Sequence, residues 1–552
     1  MKIKVIITAI IFFLNIAAFS QTNWQTYPYS PQGSVLTFPA DDGMHTAANT
    51  TTEWWYLNLH LIGSAPAYKK YDVMLCYFGS PATMRIFNVA DPVSGTFHTD
   101  VNQTPFVLTK QVGHWELTYD IPLLISDYSH WTYPTDSIPY SYIFHAESPT
   151  NFDMLDVTVT SNRPPLVVGG DGYIPIGEQG DFSYYYSYPN MKVKGSIMFS
   201  GVSDSISSGI AWIDRQYGPF IVGINTNNKY EWFSLQVDNP GATLGTPQLP
   251  SDYNVWQVYS DSNSIPCKPN SRLVSAIYAD NSQDTVSTFV FERTGYWYDQ
   301  ANSNYYSQGW RYINPLRGIN IDIEPSIIDQ VINVTLFKFW EGGTVMKGTV
   351  GDQNVEGVGF AELVAGRAFQ IILPSVPSGL SVTPETDHYS LNWTASTPGT
   401  YPIGGYRVFR STSTEGYWKY LATTTDLSYN DYTASPGSGY YYTVTSFDNQ
   451  TSTSASGYAN PVWAETMGIN NDSPSALSVH IYPNPVKDKL YIDLPYFKNT
   501  FVEIMSIEGQ HLQSLILQSQ KTAIDVNNLP CGVYFLEIKN DKGFAIKKFI
   551  KQ

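Results

Sequence analysis

Two acidic residues in strand-like segments are the first candidates for chemistry in this sequence. In GIAWIDRQYG, the two-residue repeat of a β-strand places Asp214 on the same face as Trp212, with Arg215 on the opposite face. In TEWWYLNLHLI, the same repeat places Glu53 at the start of a face that continues with Trp55 and three leucines. A carboxyl group that loses its hydration among apolar side chains has a raised pKa. Either residue is therefore a candidate proton donor near neutral pH.

Each of these acids also has a structural interpretation. Asp214 would then be paired with Arg215 or with backbone amides and would hold a turn. Glu53 would bind loop amides at the end of its strand. The sequence leaves both interpretations open.

Motifs for several other kinds of chemistry are missing. The chain has no G-x-S-x-G, no H-E-x-x-H, no P-loop and no G-x-G-x-x-G that opens a helix. The pair of histidines closest to a motif, His45 and His60, lacks metal-ligand spacing. We therefore expect no metal and no cofactor.

The elements that must position the two acids are predicted to be strands. Runs such as YKKYDVMLCYF, EWFSLQVD and VINVTLFKFW are short, rich in β-branched and aromatic residues, and separated by clusters of Gly, Pro, Asn and Asp. Helical periodicity is nearly absent. The sequence therefore predicts an all-β protein built from sandwiches or barrels.

Length and charge limit the possible partners. A chain of 552 residues suggests three to four domains. Its net charge of -17 argues against nucleic acid and anionic membrane surfaces as partners. The three cysteines, Cys76, Cys267 and Cys531, are far apart, so neither a disulfide framework nor a zinc site is indicated.

The N-terminus reads as an export signal. Two lysines precede a mostly apolar run from Val5 to Phe19, and Ser20 follows before a polar stretch. This pattern is typical of a cleavable signal peptide, predicted here over residues 1–20. The run is shorter than the roughly 20 residues that a bilayer requires, and no later stretch is long enough. We therefore expect no transmembrane segment in the mature chain.

The C-terminal part carries three motifs in order. They are Tyr482-Pro483-Asn484-Pro485, then NLPCGVY from Asn528, then Lys547-Lys548-Phe549. From Pro474 onward there are nine Lys against seven Asp and Glu, so this tail carries +2 and the rest of the chain -19. The segment 479–552 closely resembles the C-terminal sorting domain of the type IX secretion system, which implies that secretion machinery as a partner. A linker rich in Asn, Ser, Asp and Pro is predicted over residues 464–478.

The preceding segment is predicted to be a small sandwich. Residues 376–463 begin with VPSGLSVTP, carry Trp393 in SLNWTAS, continue with GGYRVFRST around Tyr406, and end with YYYTVTSFD around Tyr441. They resemble a fibronectin type III module, in which these aromatic residues belong to the core. We expect this module to be a spacer or a weak binding unit.

The remaining residues resemble one further family. PADDGMHTAANTTTEWWYLNLHL, FSYYYSYPNMKVKGSI, GIAWIDRQYGPF, EWFSLQVD and FWEGGTVMKGTV with GVGFAELV occur in this order. They resemble the lipocalin-like superfamily of carotenoid 1,2-hydratase (hydroxyneurosporene synthase) and AttH. The resemblance implies two tandem lipocalin-like β-barrels, over residues 22–200 and 201–372. A barrel of this size can enclose an apolar ligand.

The resemblance also implies an activity. In the hydratases an aspartate protonates an isoprenoid double bond and water captures the resulting cation, and the matching residue here is Asp214. Tyr185 or Glu53 is expected to assist. No histidine lies between His145 and His388, so the imidazole of the hydratases has no counterpart in that segment. Aromatic side chains would stabilise the cation and contact the ligand. The expected ligand-binding residues are Trp212, Trp55, Tyr217, Trp232 and Trp340.

Three functions follow as hypotheses for an exported protein, secreted or attached to the outer surface after passage through the periplasm. The first is a carotenoid 1,2-hydratase-like lyase, or an isomerase, that acts on an isoprenoid or lipid-like molecule. The second is a binding or carrier protein for a lipid or pigment, in which Asp214 is structural. The third is a glycan-binding or adhesion protein that uses exposed aromatic residues.

Overall fold

The computed structural model describes most of the chain between residues 24 and 552. The predicted signal peptide lies outside the described residues, and so does nearly all of the predicted linker. The segments left out are 1–23, 46–49, 81–82, 104–106, 111, 133–139, 162, 177–180, 221–228, 245–250, 260–266, 335–337, 365, 436–438, 451–452, 465–476, 478, 507–509 and 541–542.

The regular secondary structure of the described residues is almost entirely β-strand, which confirms the all-β prediction. Among them there is no α-helix, only two 3-10 turns at Ala40–Asp42 and Pro315–Arg317. They fall into two compact units, each described by itself. One runs to residue 381 and includes 392–429 and 441–462, and the other comprises 382–391, 430–440 and 463–552.

The first thirteen strands form one antiparallel sheet in the order β4-β3-β2-β1-β13-β12-β9-β8-β7-β6-β5, with β10 and β11 paired to β12. Their bounds are β1 Thr52–Gly63, β2 Lys70–Ser80, β3 Met84–Asp91, β4 Thr96–Asn102, β5 Val107–Lys110, β6 Glu116–Ile121, β7 Ile125–Thr132, β8 Ser141–Ser148, β9 Asp153–Thr160, β10 Leu166–Val167, β11 Tyr173–Pro175, β12 Phe182–Phe199 and β13 Val202–Gly218.

This sheet curls until distant strands touch. Arg85 on β3 and Tyr77 on β2 both bond Asp127 on β7, at 2.8 and 2.9 Å, although at least five strands separate them in the sheet order. One face of the curled sheet encloses a core of leucines, valines and aromatic rings. The interior of this half-barrel is therefore filled by side chains.

The second sheet repeats this design in the order β17-β16-β15-β14-β25-β24-β22-β21-β18, with β23 paired to β24 and a separate hairpin β19-β20. Its curl brings Tyr253 on β15 within 5.6 Å of Tyr312 on β21, ring centroid to ring centroid. Its own core lies on one face. The bounds are β14 Lys229–Asp238, β15 Ser251–Tyr259, β16 Cys267–Ile277, β17 Gln283–Val286, β18 Val290–Arg293, β19 Tyr296–Asp299, β20 Asn304–Ser307, β21 Trp310–Asn314, β22 Ile319–Pro325, β23 Val331–Asn333, β24 Lys338–Val350 and β25 Gln353–Leu363.

The two sheets divide after Gly218, not at Ser200. Ser200 and Gly201 form the tight turn between β12 and β13, and β13 then pairs with β1 from Thr52 to Gly63. The predicted boundary therefore falls inside the first sheet. A third core lies between the sheets and takes side chains from the second face of each, including Tyr56 and Trp232.

Seven shorter strands follow, in sheets β26-β27-β30 and β29-β28-β31-β32. Trp393 and Tyr406, two of the predicted core residues, are buried with their ring centroids 5.6 Å apart. The bounds are β26 Ser378–Pro384, β27 Tyr389–Thr394, β28 Ile403–Ser411, β29 Lys419–Thr424, β30 Ser428–Asp431, β31 Tyr440–Asp448 and β32 Val462–Ala464.

The C-terminal segment forms sheets β33-β34-β37 and β36-β35-β38-β39 around its own core. Asn484 of the first motif donates to the carbonyl of Lys548 and accepts from the amide of Ile550, both at 2.9 Å. Tyr534 stacks on Phe549. The three motifs thus meet in space. The bounds are β33 His480–Tyr482, β34 Lys489–Asp493, β35 Phe501–Ser506, β36 His511–Ile516, β37 Lys521–Asp525, β38 Gly532–Asn540 and β39 Gly543–Lys551.

Candidate active site between the two sheets

The candidate site is a row of side chains on the first sheet that faces a row on the second. On the first sheet, Cys76, Tyr56, Asp214 and Ser187 are cross-strand neighbours on β2, β1, β13 and β12. On the second sheet, the facing row is Trp256, Trp232, Glu362 and Glu341 on β15, β14, β25 and β24. Both rows lie on the faces that pack against each other.

Polar contacts join the two rows. Asn254 on β15 donates from Nδ2 to the Tyr185 hydroxyl at 2.8 Å and to Ser187 Oγ at 3.2 Å. Nearby, His60 on β1 places Nδ1 2.7 Å from Asp72 and Nε2 2.9 Å from the carbonyl oxygen of Gly359 on β25. These bonds hold the second faces of the sheets together around the acids.

Asp214 is buried and held by three donors. The Tyr185 hydroxyl donates to Oδ2 at 2.5 Å, and Oδ1 accepts from Ser187 Oγ at 2.5 Å and from Trp212 Nε1 at 2.9 Å. Burial raises the pKa of Asp214 to about 7, although the three hydrogen bonds act in the opposite direction. Arg215 does not contribute, because it lies on the other face of β13. Asp214 can therefore hold a proton at neutral pH, which an exposed aspartate does not.

The bond between Asp214 and Tyr185 can reverse its direction. When Asp214 is ionised, the tyrosine donates to it and accepts from Asn254. When Asp214 is protonated, its own proton can occupy this bond, and the hydroxyl hydrogen of Tyr185 is then free to turn elsewhere. Tyr185 lines the same small cavity as Asp214. The pair can thus pass a proton into that cavity.

Two further acids lie on the second sheet. Glu362 is partly buried and accepts a 2.5 Å hydrogen bond from Tyr230, and burial raises its pKa to about 7. Glu341 is almost fully buried, and both burial and the charge of Glu362 raise its pKa well above the ordinary value. The hydroxyl of Tyr56 opposes this shift by hydrogen bonding to Glu341.

The space between the rows is small and lined by aromatic rings. One cavity of about 10 Å³ is bounded by Asp214, Glu362 and their neighbours, and an adjoining one of about 20 Å³ by Glu341 and Glu362. Each is about the size that one water molecule needs. Trp54 borders both cavities and is only half-buried. A larger molecule can reach the acids only if side chains such as Trp54 move.

A larger cleft of about 780 Å³ lies away from these acids. It is bordered by Arg311, Asp322 and Tyr458 among others. Arg311 and Tyr458 already bond Asp322, each at 2.7 Å. Asp322 is thus paired with a cation, unlike Asp214 between the sheets.

Four of the predicted site residues lie together, and four do not. Asp214, Tyr185, Trp212 and Trp232 meet between the sheets. Glu53, Trp55 and Tyr217 point to the opposite face of the first sheet, because each is an odd number of positions from a residue of the site on its own strand. Trp340 lies in the separate core of the second sheet and donates to the carbonyl of Ile328 at 2.6 Å.

The prediction that Glu53 assists Asp214 is thus corrected. Glu53 accepts from Arg215 Nη2 at 3.1 Å and lies 2.9 Å from His45 Nδ1. Burial opposes ionisation of Glu53, but the hydrogen bond from His45 and the charge of Arg215 prevail and hold its pKa below the ordinary value. Glu53 is therefore an ion-pair partner within the first half-barrel.

The first half-barrel also holds an acid that the sequence analysis did not single out. Asp42 is fully buried and accepts hydrogen bonds from Tyr140, from Tyr142 at 2.8 Å and from Tyr186 at 2.5 Å. Burial raises its pKa despite these donors. Asp42 lies in the motif PADDGM, but the residues next to it in the sequence do not indicate that three distant tyrosines bind it.

Glu341 and Glu362 were also missed, although both lie in quoted motifs, FWEGG and GFAELV. The signal was the strand alternation, which places each acid on the same face as residues of the inter-sheet core, such as Phe339 and Phe360. Only the pairing of β24 with β25 brings them together. No group of three or more His, Cys, Asp or Glu is arranged to hold a metal ion within the described ranges.

Comparison with known proteins identifies two parts of the chain. Residues 29–367 match the AttH-like family, and residues 480–552 match a secretion system C-terminal sorting domain. The chain therefore belongs to the AttH-like family. The sorting domain indicates a protein of the type IX secretion route, secreted or attached to the surface. In the part of the chain that the structure describes, no helix is long and apolar enough to cross a membrane.

Several solved structures are similar. An AttH-type protein from Nitrosomonas europaea is 20% identical over 60% of this chain and 97% of its own, with a TM-score of 0.45. Kievitone hydratase from Nectria haematococca is 18% identical over 62% and 98%, also at 0.45. An Fn3-like protein from Clostridium thermocellum is 27% identical over 16% and 90%, at 0.15. No curated protein matches the chain.

Proposed function

We propose that this exported AttH-like protein binds an apolar, isoprenoid or lipid-like alkene between its two sheets and hydrates or isomerises it, with Asp214 as the proton donor. The observation that carries the proposal is a buried carboxyl group, oriented by three donors, whose pKa is about 7 and which no cation among the described residues neutralises. An acid in this state can protonate a weak carbon base at neutral pH.

The surroundings of Asp214 suit a cationic intermediate. Protonation of a substituted double bond places positive charge on carbon, and the faces of aromatic rings attract such a charge. Trp54, Tyr56, Trp232 and Trp256 line the same cavity as Asp214. The partner acid Glu362 adds negative charge nearby when it is ionised. Tyr185 relays the proton from Asp214 to the substrate.

The test uses the mature full-length chain with farnesol, an isoprenoid alcohol, as probe. In deuterium oxide enriched in oxygen-18, we expect wild-type protein to place deuterium on carbon and oxygen-18 in the product, both detected by mass spectrometry. Asp214→Asn should abolish both labels, because the amide cannot supply the proton.

The matched control is Glu53→Gln, which changes a buried acid on the opposite face of the same sheet. It should keep both labels at temperatures where the variant is folded. Farnesol that is bound but recovered without label from the wild-type protein would overturn the proposal for this probe and favour the carrier hypothesis. Equal labelling by Asp214→Asn and the wild-type protein would assign the chemistry to another group.

A further inference from the structure

Glu341 and Glu362 form an unusual pair. They are directly opposite each other on the antiparallel strands β24 and β25, a position in which Cβ atoms lie about 4.5–5.5 Å apart. Glu341 is almost completely buried. Two acids placed opposite each other on one face in an apolar environment do not readily both ionise, because the charge of Glu362 raises the pKa of Glu341.

Among the residues that the structure describes, those lining the cavities beside the pair supply no compensating cation. The side chains that line the two cavities and can ionise are Tyr56, Tyr185, Tyr230, Cys76 and Asp214, besides the two glutamates. None of them is positive in any protonation state. One oxygen of Glu341, Oε1, has no hydrogen-bond partner among the described residues. A proton held between the carboxyl groups is the remaining way to balance their charge.

The fold does not itself require acids at these positions. The segment EWW on β1 and the segment EWF on β14 occupy equivalent positions in the two sheets. β1 pairs antiparallel with β13, and β14 pairs antiparallel with β25. Trp54 opposes Gln216, which opposes Tyr185, whereas Trp232 opposes Glu362, which opposes Glu341. The first sheet therefore has a neutral Gln–Tyr pair where the second has two acids.

We propose that Glu341 and Glu362 share one proton and act as the base that faces Asp214 across the cavity. This inference rests on the proposed function and names a further catalytic residue for it, Glu362, which borders both cavities. Glu341 is a positioning residue, because it acts by holding the shared proton.

In hydration, Asp214 supplies a proton and Glu362 takes one up. Protonated Asp214 gives its proton to Tyr185 while the hydroxyl proton of Tyr185 passes to one alkene carbon, and the π electrons form the new carbon–hydrogen bond. Water attacks the carbocation through oxygen, and Glu362 accepts the proton that the water loses. The dyad then holds two protons, and one returns to Asp214 through water or Tyr185. The sum is alkene plus water to alcohol, with both acids restored.

Infrared spectroscopy of the full-length protein tests the shared proton without any substrate. At about pH 8, exposed carboxyl groups are ionised. The spectrum of Asp214→Asn minus that of the triple variant Asp214→Asn/Glu341→Gln/Glu362→Gln should contain the carbonyl band of a single protonated carboxylic acid. No band, or the intensity of two, would overturn the shared-proton assignment.

Labelling with farnesol in deuterium oxide and oxygen-18 water tests the base. Glu362→Gln, which copies the residue at Gln216, should lower hydration about a hundredfold or more. It should still place deuterium in recovered farnesol, since Asp214 remains to protonate it and take the proton back. Hydration at the wild-type rate would refute the role of Glu362. Loss of all deuterium incorporation in the wild-type protein as well would instead refute the proposed function.

Discussion

Asp214 and Arg215 are neighbours in the sequence, yet they lie on opposite faces of β13. Arg215 turns toward Glu53, with 3.1 Å between Nη2 and Oε1, while Asp214 faces Tyr185 and Ser187 between the sheets. Because successive strand residues point in opposite directions, the cation cannot neutralise the acid next to it. This separation leaves Asp214 with a raised pKa, and it divides the sheet into a structural face and a candidate catalytic face.

The ion pair on the structural face should matter for stability. Replacing Arg215 with Met leaves Glu53 buried without its cation, which costs about 3–5 kcal/mol in the free energy of unfolding. Chemical denaturation measures this loss. Adding Glu53→Gln should recover part of it, and the infrared band of Asp214 should titrate as before. A loss below about 1 kcal/mol would contradict the assignment.

Stability should depend on pH through Asp214. The folded-state pKa of about 7 exceeds the ordinary 3.8, so the folded protein binds more protons than the unfolded chain between these values. Stability from this group is therefore complete below about pH 4 and falls as the pH rises toward 7, by roughly 4 kcal/mol at most. Asp214→Asn should lack this decline when denaturation curves are compared at several pH values. Parallel curves for the two proteins would refute the raised pKa.

The variant Tyr185→Phe tests whether the Tyr185 hydroxyl acts on Asp214, because it removes that hydroxyl and keeps the carboxyl group. The hydroxyl of Tyr185 lowers the pKa of Asp214 by donating to it, so its removal should raise that pKa further. The measurement is the pH titration of the Asp214 carbonyl band by infrared spectroscopy, with Tyr186→Phe as control because Tyr186 bonds Asp42 on the other face. An unchanged titration midpoint would show that the hydroxyl does not act on Asp214.

Trp54 should control entry to the site. It packs edge-on against Phe220 and near Phe78, and it borders both small cavities. Trp54→Ala joins these spaces, so farnesol uptake, followed by quenching of tryptophan fluorescence in stopped flow, should become faster. Trp55→Phe alters the neighbouring ring on the opposite face and should leave the rate unchanged. Equal rates for Trp54→Ala and wild type would place the entrance elsewhere.

The sorting domain depends on Asn484. Its side chain bonds the backbone of Lys548 and Ile550 on the last strand, joining the first predicted motif to the third. Asn484→Ala should lower the stability of this domain by about 1 kcal/mol, measured by thermal unfolding. Because the motifs are then less firmly held together, we expect less protein in the culture medium or on the cell surface. Asn527→Ala, at an exposed position in the same domain, is the control.

Much of the fold was predictable from local patterns. Alternation in TEWWYLNLHLI correctly placed Trp55 and Tyr56 on different faces of one strand, and alternation in GIAWIDRQYG correctly did the same for Tyr217 and Asp214 in the other. The motifs of the AttH-like region and the sorting domain were sufficient to predict both families. These features depend on residues close together in the chain, so the sequence by itself determined them.

The site required the tertiary structure. Alternation separates the two faces of a strand but does not show which face meets a second sheet. Because side chains fill the interior of the half-barrel, Asp214 lies between the two sheets and not inside a barrel. Glu341 and Glu362 are brought together by the register of β24 and β25, and Asn254 reaches Tyr185 from 69 residues away. Burial and pairing over such separations decide which acids lose hydration. Only the folded chain therefore determined which carboxyl groups can hold a proton at neutral pH.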